Sequence, residues 1–235
     1  MYEVLRARCG LEVGAHVLEV GPGTGQVTRR LLELGAEVVA VEPDALLAAF
    51  LRERLGDRVA LVHDALEDAE LDASAFDLAV AGSSFHWVDE AAGLGALRRA
   101  LRPGRWIAIW WTSFGDETRP DPFRDAVDHL FEEVPHSPSA GLEGRPSFGR
   151  DAERRLAALG TAGFARPARD EFRWSRAWDS RGIRGLYSTF SPVIALDPDR
   201  RTRMLDAVER IARDDFGDRV ERPLVTSLYT AENPA

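Results

Sequence analysis

Lysine is absent from this 235-residue sequence, and all 30 basic residues are arginines. A P-loop nucleotide-binding motif needs a lysine after its glycines, so this class of NTPase is excluded. Acidic residues number 39, which leaves a formal net charge of -9. Because phosphate backbones are bound mainly by positive charge, we expect no nucleic-acid partner.

Cysteine is almost absent too, since Cys9 is the only one. It cannot form an intrachain disulfide, which suits a reducing compartment. No apolar run approaches the roughly 20 residues of a membrane-spanning helix, and residues 1–10 lack the apolar core of a signal peptide. We therefore expect a soluble, cytoplasmic protein with no membrane partner.

Motifs of two other enzyme classes are missing. The five histidines and the single cysteine show no metal-ligand spacing, so we predict no metal site. Ser83 and Ser84 do not lie in a G-x-S-x-G motif, so the sequence does not indicate a serine hydrolase.

What the chain does have is a hydrophobic fraction of 45%, enough for a full core. Short apolar runs alternate with segments of helical spacing as far as Trp111. This order predicts crossover connections and a parallel sheet that is covered on both faces. The predicted strands are 16–20, 37–41, 59–63, 76–81 and 106–111, with Pro103-Gly104 as a turn before the fifth, and the helices between them are 27–34, 44–55 and 89–101.

The pattern changes after Trp111. We find no internal repeat and no low-complexity linker, so residues 1–235 are predicted to form one domain. The predicted elements are loops at 112–122 and 135–149, helices at 123–133, 150–159, 179–187 and 198–216, and strands at 171–174 and 224–230.

The strongest local motif is the turn between the first strand and the first helix, Glu19-Val20-Gly21-Pro22-Gly23-Thr24-Gly25. Glycines let the backbone bend sharply and approach a ligand closely. The helix that follows offers free N–H groups at its start. The turn is therefore predicted to bind a ligand at the carboxyl end of a strand, where open α/β sheets bind theirs.

An acidic residue supports this interpretation. Glu42 ends the second strand, 21 positions after Gly21. A carboxylate at that point can accept hydrogen bonds from ribose hydroxyls, so the pair predicts a ribose-bearing ligand. The alternative is that the glycines only form a connection and that Glu42 is an ordinary surface residue.

The spacing of the glycines helps to distinguish a dinucleotide from other ribose-bearing ligands. Dinucleotide sites have the pattern G-x-G-x-x-G, and here Gln26 stands in place of the third glycine. Its absence argues against NAD, because that glycine allows close helix packing at the pyrophosphate. An NAD-dependent oxidoreductase remains a weaker alternative.

In these residues the sequence resembles the class I S-adenosylmethionine (SAM)-dependent methyltransferases, and within them the type 11 group. The resemblance covers about 11–111 well and implies SAM as the cofactor. Gly21, Gly23 and Gly25 with Glu19 match the family's first motif, and Glu42 matches its ribose-binding acid. Asp64 and Ala65 match the adenine-binding pair, the segment 83–87 matches the cofactor and substrate lining, and 101–104 matches the approach to the fifth strand. The implied cofactor site is Glu19, Gly21, Pro22, Gly23, Thr24, Gly25, Glu42, Pro43, Asp64, Ala65 and Ser83.

The resemblance also implies the fold. It is an α/β, Rossmann-like, doubly wound and mostly parallel seven-stranded sheet, with 224–230 as an antiparallel last strand. Helical insertions at 112–149 and 175–221 would form a substrate cap on a core at 11–111. One departure is the short stretch of about fifteen residues before the first strand, where the family usually has more helices, so that either the start codon is misplaced or the lid over the cofactor is short.

Methyl transfer from a sulfonium is an in-line displacement, so alignment of the acceptor matters more than acid catalysis. A base is needed only if the acceptor must lose a proton. His86 is the candidate catalytic base, and His86, Trp87 and Trp111 are the candidate substrate residues; a structural histidine and ordinary core tryptophans are the alternatives.

We expect a small-molecule methyl acceptor, with a catalytically silent SAM-binding protein as the other alternative. Four later arginines could hold a substrate carboxylate, although a solvated surface role is expected for any single one. They are Arg173, Arg176, Arg181 and Arg184.

Overall fold

The structure is a computed structural model that describes residues 1–132, 134 and 146–235. The helices in this part of the chain are α1 (Tyr2–Arg8), α2 (Gln26–Glu33), α3 (Ala45–Leu55), α4 (Glu90–Ala100), α5 (Pro122–Val127), α6 (Ala152–Thr161), α7 (Ser180–Tyr187), α8 (Ser191–Ile194) and α9 (Pro198–Asp214). The strands are β1 (His16–Val20), β2 (Glu37–Val41), β3 (Val59–Val62), β4 (Phe76–Gly82), β5 (Leu101–Phe114), β6 (Ala165–Trp178) and β7 (Val220–Glu232).

The strands form one seven-stranded sheet in the order β3-β2-β1-β4-β5-β7-β6. Strands β1 to β5 pair in parallel. Strand β7 runs antiparallel to β5. The N–H of Gly104, near the start of β5, donates to the carbonyl of Asn233, just after the end of β7. The N–H of Gly115, just after the end of β5, donates to the carbonyl of Pro223, near the start of β7. The predicted mostly parallel, Rossmann-like sheet with an antiparallel last strand is confirmed.

The register places the strand ends that matter for function at one edge. Val20, at the end of β1, pairs with Val41 at the end of β2, and Val41 pairs with Val62 at the end of β3. On the other side of β1, Gly82 at the end of β4 pairs with Trp110 of β5. The chain order reverses between β1 and β4, which is where such sheets bind ligands.

The core follows from the apolar strands and one side of each helix. All residues of β4 from Phe76 to Ala81 are buried, as expected for a strand with both faces covered. Helix α4 presents Leu94 and Leu97 to the same core. Its start is fixed by Asp89, whose carboxylate accepts the Ala92 N–H at 2.9 Å, as the sequence predicted for this N-cap.

The predicted turn at Pro103-Gly104 is wrong, because both residues lie inside β5. Phe76 pairs with Leu101 but Leu78 pairs with Trp106, so the extra residues form a bulge. Proline cannot donate to a neighbouring strand, and Gly104 has a φ of 74°, a conformation that favours glycine.

Asp77 of β4 faces this bulge. Its carboxylate accepts a 2.6 Å hydrogen bond from Arg102 and the His16 N–H at 3.0 Å, and it lies 3.3 Å from Nε of Arg105. The bulge is thus held by charge-assisted contacts and joined to the start of β1.

Several other predicted bounds differ. Strand β5 continues to Phe114 into the predicted loop at 112–122, and the predicted helix 123–133 is α5 followed by a 3-10 turn at Asp128–Phe131. Strands β6 and β7 are much longer than the predicted strands 171–174 and 224–230. Polar residues dominate β6 and no residue of it is fully buried, so it lacks the apolar pattern that predicts a strand. The predicted loop 135–149 lies mostly outside the described residues.

The chain divides into two compact units. The first comprises Met1–Trp111, Arg145–Glu171 and Ser227–Ala235, and it contains the strand ends described above. The second comprises Thr112–Gly144 and Phe172–Thr226. Its apolar core surrounds a buried ion pair in which Arg222 lies 2.8 Å from Asp121 and also donates to the Tyr187 hydroxyl at 2.7 Å. One domain over 1–235 and a substrate cap stay predictions.

Within the described ranges, no helix has both the length and the apolar character needed to cross a membrane.

Candidate functional site

The turn after β1 bends sharply at its glycines. Gly21, Gly23 and Gly25 have φ values of 63°, 56° and 79°, a region that L side chains rarely adopt. A Cβ on Gly21 would lie 2.5 Å from Cβ of Ser84. The turn therefore needs glycine at this position so that it can contact the segment that follows β4.

That segment is itself unusual. Ser83 has a φ of 58°, although it is not glycine. Such strained positions are often found at ligand sites. The hydroxyl of the next residue, Ser84, donates to the Val20 carbonyl. The chain thus leaves β4 directly against the end of β1.

Gly23 differs from its neighbours in the turn, because a Cβ there would meet nothing within 4 Å. Its N–H donates to Oε2 of Glu42 at 3.0 Å. Oε1 of the same carboxylate accepts the Asp44 N–H, also at 3.0 Å. Glu42 is 4% exposed. One carboxylate thus joins the glycine turn to the end of β2, and each oxygen keeps a lone pair for a ligand hydroxyl.

Glu19 lies beneath the turn and is 2% exposed. Burial raises the pKa of its carboxyl from 4.5 to about 7, while Thr28 lowers it and Glu42 raises it further. Oε2 of Glu19 has no hydrogen-bond partner among the described residues. An unpaired, buried carboxylate oxygen fits a cationic ligand group, because such a group would repay the cost of burial.

The other predicted cofactor residues lie around the same sheet edge. Asp64 follows β3 and is exposed, and its Oδ1 accepts the Ala65 N–H at 2.9 Å. Pro43 and Thr24 are exposed, whereas Pro22 is buried. The structure therefore leaves Asp64, Pro43 and Thr24 accessible from outside. Their roles toward a cofactor stay predictions.

His86 and Trp87 form a 3-10 turn after β4. Trp87 is 65% exposed, and its ring centroid lies 5.1 Å from that of His86. Trp111, on β5, is only 5% exposed. The segment after β4 therefore carries both a solvent-facing tryptophan and an imidazole that faces inward.

Trp111 and His86 form a direct hydrogen bond. Nε1 of Trp111 donates to Nδ1 of His86 at 3.2 Å. An indole nitrogen can only donate, so Nδ1 is the unprotonated nitrogen and the neutral ring carries its proton on Nε2. Burial lowers the pKa of His86 below 6.5, which favours this neutral form.

Sequence reasoning missed a group of residues next to this pair. Trp111, Phe85, Ile109 and Tyr229 line a cavity of about 10 Å³ together with Arg155 and Glu90. Arg155 is on α6, which the sequence predicted without any functional role. The available signal was that Arg155 and Leu159 lie four positions apart on the buried face of that helix.

Two of the four arginines considered for a substrate carboxylate are paired within the second unit. Arg184 lies 2.8 Å from Asp206 and 3.0 Å from Glu209, and Arg173 lies 3.3 Å from Asp116. These pairs involve carboxylates of the protein itself.

Over 1–132, 134 and 146–235, no group of three or more His, Cys, Asp or Glu side chains is arranged to hold a metal ion.

Comparison with known proteins finds methyltransferases that are similar to part of the chain. The family model of the methyltransferase domain, type 11, matches residues 18–109. An uncharacterized methyltransferase of Mycobacterium tuberculosis is 39% identical over 97 residues, which are 41% of this chain and 40% of that protein. The ribosomal RNA small subunit methyltransferase A of Anaeromyxobacter dehalogenans is 46% identical over 83 residues, which are 35% of this chain and 26% of that protein.

Among solved structures, a putative methyltransferase from Bacillus halodurans matches with a TM-score of 0.60 and 15% identity, covering 99% of this chain and 98% of that one. At this identity the match shows the fold alone. The sequence matches span less than half the length of the curated relatives. Residues 18–109 are thus similar to the methyltransferase domain, type 11, and the chain as a whole shares the fold of the Bacillus halodurans protein.

Proposed function

We propose that this protein transfers the methyl group of SAM to a small-molecule acceptor. The observation that carries the proposal is the arrangement of Gly23 and Glu42. The glycine has open space where a side chain would project, and its N–H is held by the buried carboxylate at the end of β2. This combination provides close backbone approach and a ribose acceptor at one point.

The residues present fit the cofactor. Glu42 would accept hydrogen bonds from the ribose, and the unpaired oxygen of Glu19 would face the cationic methionine half. Asp64 and Ala65 would bind adenine. The remaining proposed contacts are Gly21, Pro22, Gly23, Thr24, Gly25, Pro43 and Ser83. When bound, SAM supplies a methyl group on a positively charged sulfur and leaves as S-adenosylhomocysteine.

The chain's own contribution is alignment and exclusion of water. Trp111 fixes the imidazole of His86 through Nδ1, so the ring presents a fixed Nε2–H. This geometry supports His86 as a hydrogen-bond donor to the acceptor, whereas a base would need a free lone pair. Trp87 and Trp111 are proposed substrate contacts.

Two features support a small acceptor. The net charge of -9 disfavours binding of a phosphate backbone. The cavity beside Trp111 is lined mainly by apolar side chains and has room for one water-sized group, so it would accept only the end of a small acceptor. The similarity to an RNA methyltransferase covers only 35% of this chain, and RNA is therefore included as an arm of the test.

The proposal is tested in two steps. First, the protein is titrated by calorimetry with SAM, S-adenosylhomocysteine and NAD; we expect the first two to bind and NAD not to bind. Second, radiolabelled SAM is incubated with the protein and either a panel of metabolites or ribosomal RNA. Label in a metabolite supports the proposal, and label in RNA alone contradicts the small acceptor. Binding without transfer to any acceptor would identify a silent SAM-binding protein.

A further inference from the structure

Arg155 is a buried cation in the first unit. Its side chain is 4% exposed, although arginine is rarely buried this deeply. Glu90 is its ionic partner: Nη1 lies 3.1 Å from Oε1, and Nη2 donates to Oε2 at 3.3 Å. The guanidinium also stacks on Phe148, with 3.6 Å from Cζ to the ring centroid.

The hydrogen bonds of this guanidinium are incomplete. Nε of Arg155 has no hydrogen-bond partner among the described residues, and Nη1, although it lies 3.1 Å from Oε1 of Glu90, does not donate a hydrogen bond to it. Leaving donors of a charged group unpaired in the interior is costly, so an acceptor atom is needed there. Arg155 lines the cavity next to Trp111 and Tyr229, and a ligand atom in that space would lie against it.

The cavity has a volume of about 10 Å³, which is room for a single water-sized atom. It is therefore suited to receive one end of an acceptor, not a whole molecule. The other polar groups of the cavity wall already have partners and would not bind the acceptor in place of Arg155. The Tyr229 hydroxyl donates to the Gly149 carbonyl at 3.0 Å, and the Trp111 N–H donates to His86.

His86 supplies a second donor close by. Its ring centroid lies 6.2 Å from that of Phe148, the same ring on which Arg155 stacks. With Nδ1 occupied by Trp111, the neutral imidazole has only Nε2–H to offer. Two donors, one charged and one neutral, thus lie around a single aromatic ring.

We propose that Arg155 and His86 bind a carboxylate of the methyl acceptor, so that the enzyme forms methyl esters. This rests on the proposed function. In the reaction, the carboxylate oxygen forms a bond to the methyl carbon as the S–C bond breaks, and the bonding electron pair stays on sulfur. The negative charge of the acid and the positive charge of the sulfonium cancel. No proton is released, so no base is needed.

This assignment explains the choice of side chains better than an amine or alcohol acceptor would. A protonated amine would need a base, and the N–H groups of Arg155 offer it no hydrogen-bond acceptor. The carboxylate in the cavity wall, Glu90, is already occupied by the guanidinium. The groups left for an acceptor are hydrogen-bond donors, which fit an oxygen anion.

The test uses the full chain and four carboxylates as probes: acetate, benzoate, phenylacetate and octanoate, each with the amide and the primary amine of the same carbon skeleton. Transfer from radiolabelled SAM is measured, and methyl esters are recognised because mild alkali releases their label as volatile methanol. In parallel, the protein saturated with S-adenosylhomocysteine is titrated with each probe by calorimetry. We expect binding and alkali-labile transfer for at least one acid, and neither for its amide or amine.

Variants assign the role to the two residues. Arg155→Met should raise KM for the acid by about tenfold or more, the scale of a lost charged hydrogen bond. Arg154→Met is the control, because it removes the neighbouring, exposed arginine of the same helix, whose Nε lies 3.9 Å from the same Glu90 carboxylate, and so it reports the loss of a charge beside Glu90 alone. If Arg155→Met does not fold, the double variant Arg155→Met with Glu90→Gln removes both charges and is measured instead.

His86→Gln separates a donor from a base, because the amide N–H can replace Nε2–H but cannot take a proton. We expect His86→Gln to keep most of the activity that His86→Phe loses. Loss of activity in both variants would overturn the donor role. Transfer to the amines instead of the acids, or no binding and no transfer for any acid, would overturn the inference while SAM binding still supports the proposed function. Failure to bind SAM would overturn both.

Discussion

The carboxylate of Glu42 accepts the backbone N–H of Gly23 at 3.0 Å, although the two residues lie on different strand ends. The contact fixes the position of the glycine turn relative to β2 before any ligand binds. Since each oxygen of Glu42 accepts one backbone N–H and keeps a lone pair, the same group can hold the turn and a ribose together.

Glu42→Ala is therefore expected to weaken SAM binding by at least about 1 kcal/mol, the scale of a charge-assisted hydrogen bond. Calorimetry with SAM and S-adenosylhomocysteine measures the loss. Glu37→Ala is the control, because Glu37 begins the same strand and its side chain is exposed. Equal affinity of Glu42→Ala and the unchanged protein would refute the ribose assignment.

Gly23→Ala tests whether a ligand occupies the open space above the turn. The added methyl group meets no protein atom, so the fold should lose only the roughly 1 kcal/mol of a left-handed alanine. SAM affinity should fall by more than tenfold, since the methyl group would occupy ligand space.

Gly217→Ala provides a control for that experiment. Gly217 has a similar φ of 59° and the same open surroundings, but it lies between α9 and β7, in the second unit. It should show the same small loss in thermal unfolding without any change in SAM affinity. A parallel loss of affinity in both variants would mean that backbone strain, not contact with the ligand, is responsible.

The pH dependence should report on Glu19. A carboxyl pKa raised from 4.5 to about 7 makes ionisation in the folded state unfavourable by roughly 3 kcal/mol. The stabilising contribution is full below pH 4.5 and is lost as the pH rises through 7. Glu19→Gln should therefore gain stability relative to the unchanged protein between pH 5 and pH 8, which urea unfolding at several pH values would show.

Binding of a cation should favour the ionised form of Glu19 over the protonated form. SAM favours the ionised carboxylate, so its affinity should increase as the pH rises through about 7, and Glu19→Gln should lose this dependence. Glu12→Gln, at an exposed position before β1, serves as the control. A pH dependence of SAM binding that survives in Glu19→Gln would exclude Glu19 as its source.

A fifth prediction concerns the β5 bulge. Burial of Asp77 raises its pKa, but the hydrogen bonds from Arg102 and His16 and the charges of Arg102 and Arg105 outweigh this, and the net pKa is lowered below 3.8. The stability from Asp77 is thus present above pH 3.8 and is lost as the pH falls through the lower folded value.

Asp77→Asn should cost about 1–3 kcal/mol of unfolding free energy at pH 7, because charged hydrogen bonds are lost. Asp72→Asn removes one charge at an exposed position and should cost little. If the two variants unfold at the same urea concentration, the contacts of Asp77 contribute no net stability.

The sequence predicted the first half of the fold well because its signals were local. The short apolar runs at His16–Val20 and Glu37–Val41 coincide with β1 and β2. Pro103-Gly104 was misinterpreted, since a bulge inside a strand and a turn before it use the same residues. Strand β6 was underestimated because a polar edge strand lacks an apolar pattern.

The site residues also divide into those with a local sequence signal and those without one. Gly23 and Glu42 could be paired from their spacing, because the fingerprint follows from strand and turn lengths. Arg155 could not be placed beside Trp111, since nothing along the chain indicates that a helix more than forty residues later packs there. The tautomer of His86 likewise depends on Trp111, a partner 25 residues away in the chain.

The bulge at the start of β5 also has a consequence for how this sequence can vary. A one-residue slip in a strand would turn every side chain beyond it to the opposite face. Here the mismatch in length is absorbed between Leu101 and Trp106, before the regular pairing of Ala79 with Ile107. Insertions or deletions in that short stretch should be tolerated during evolution without reorienting Trp111.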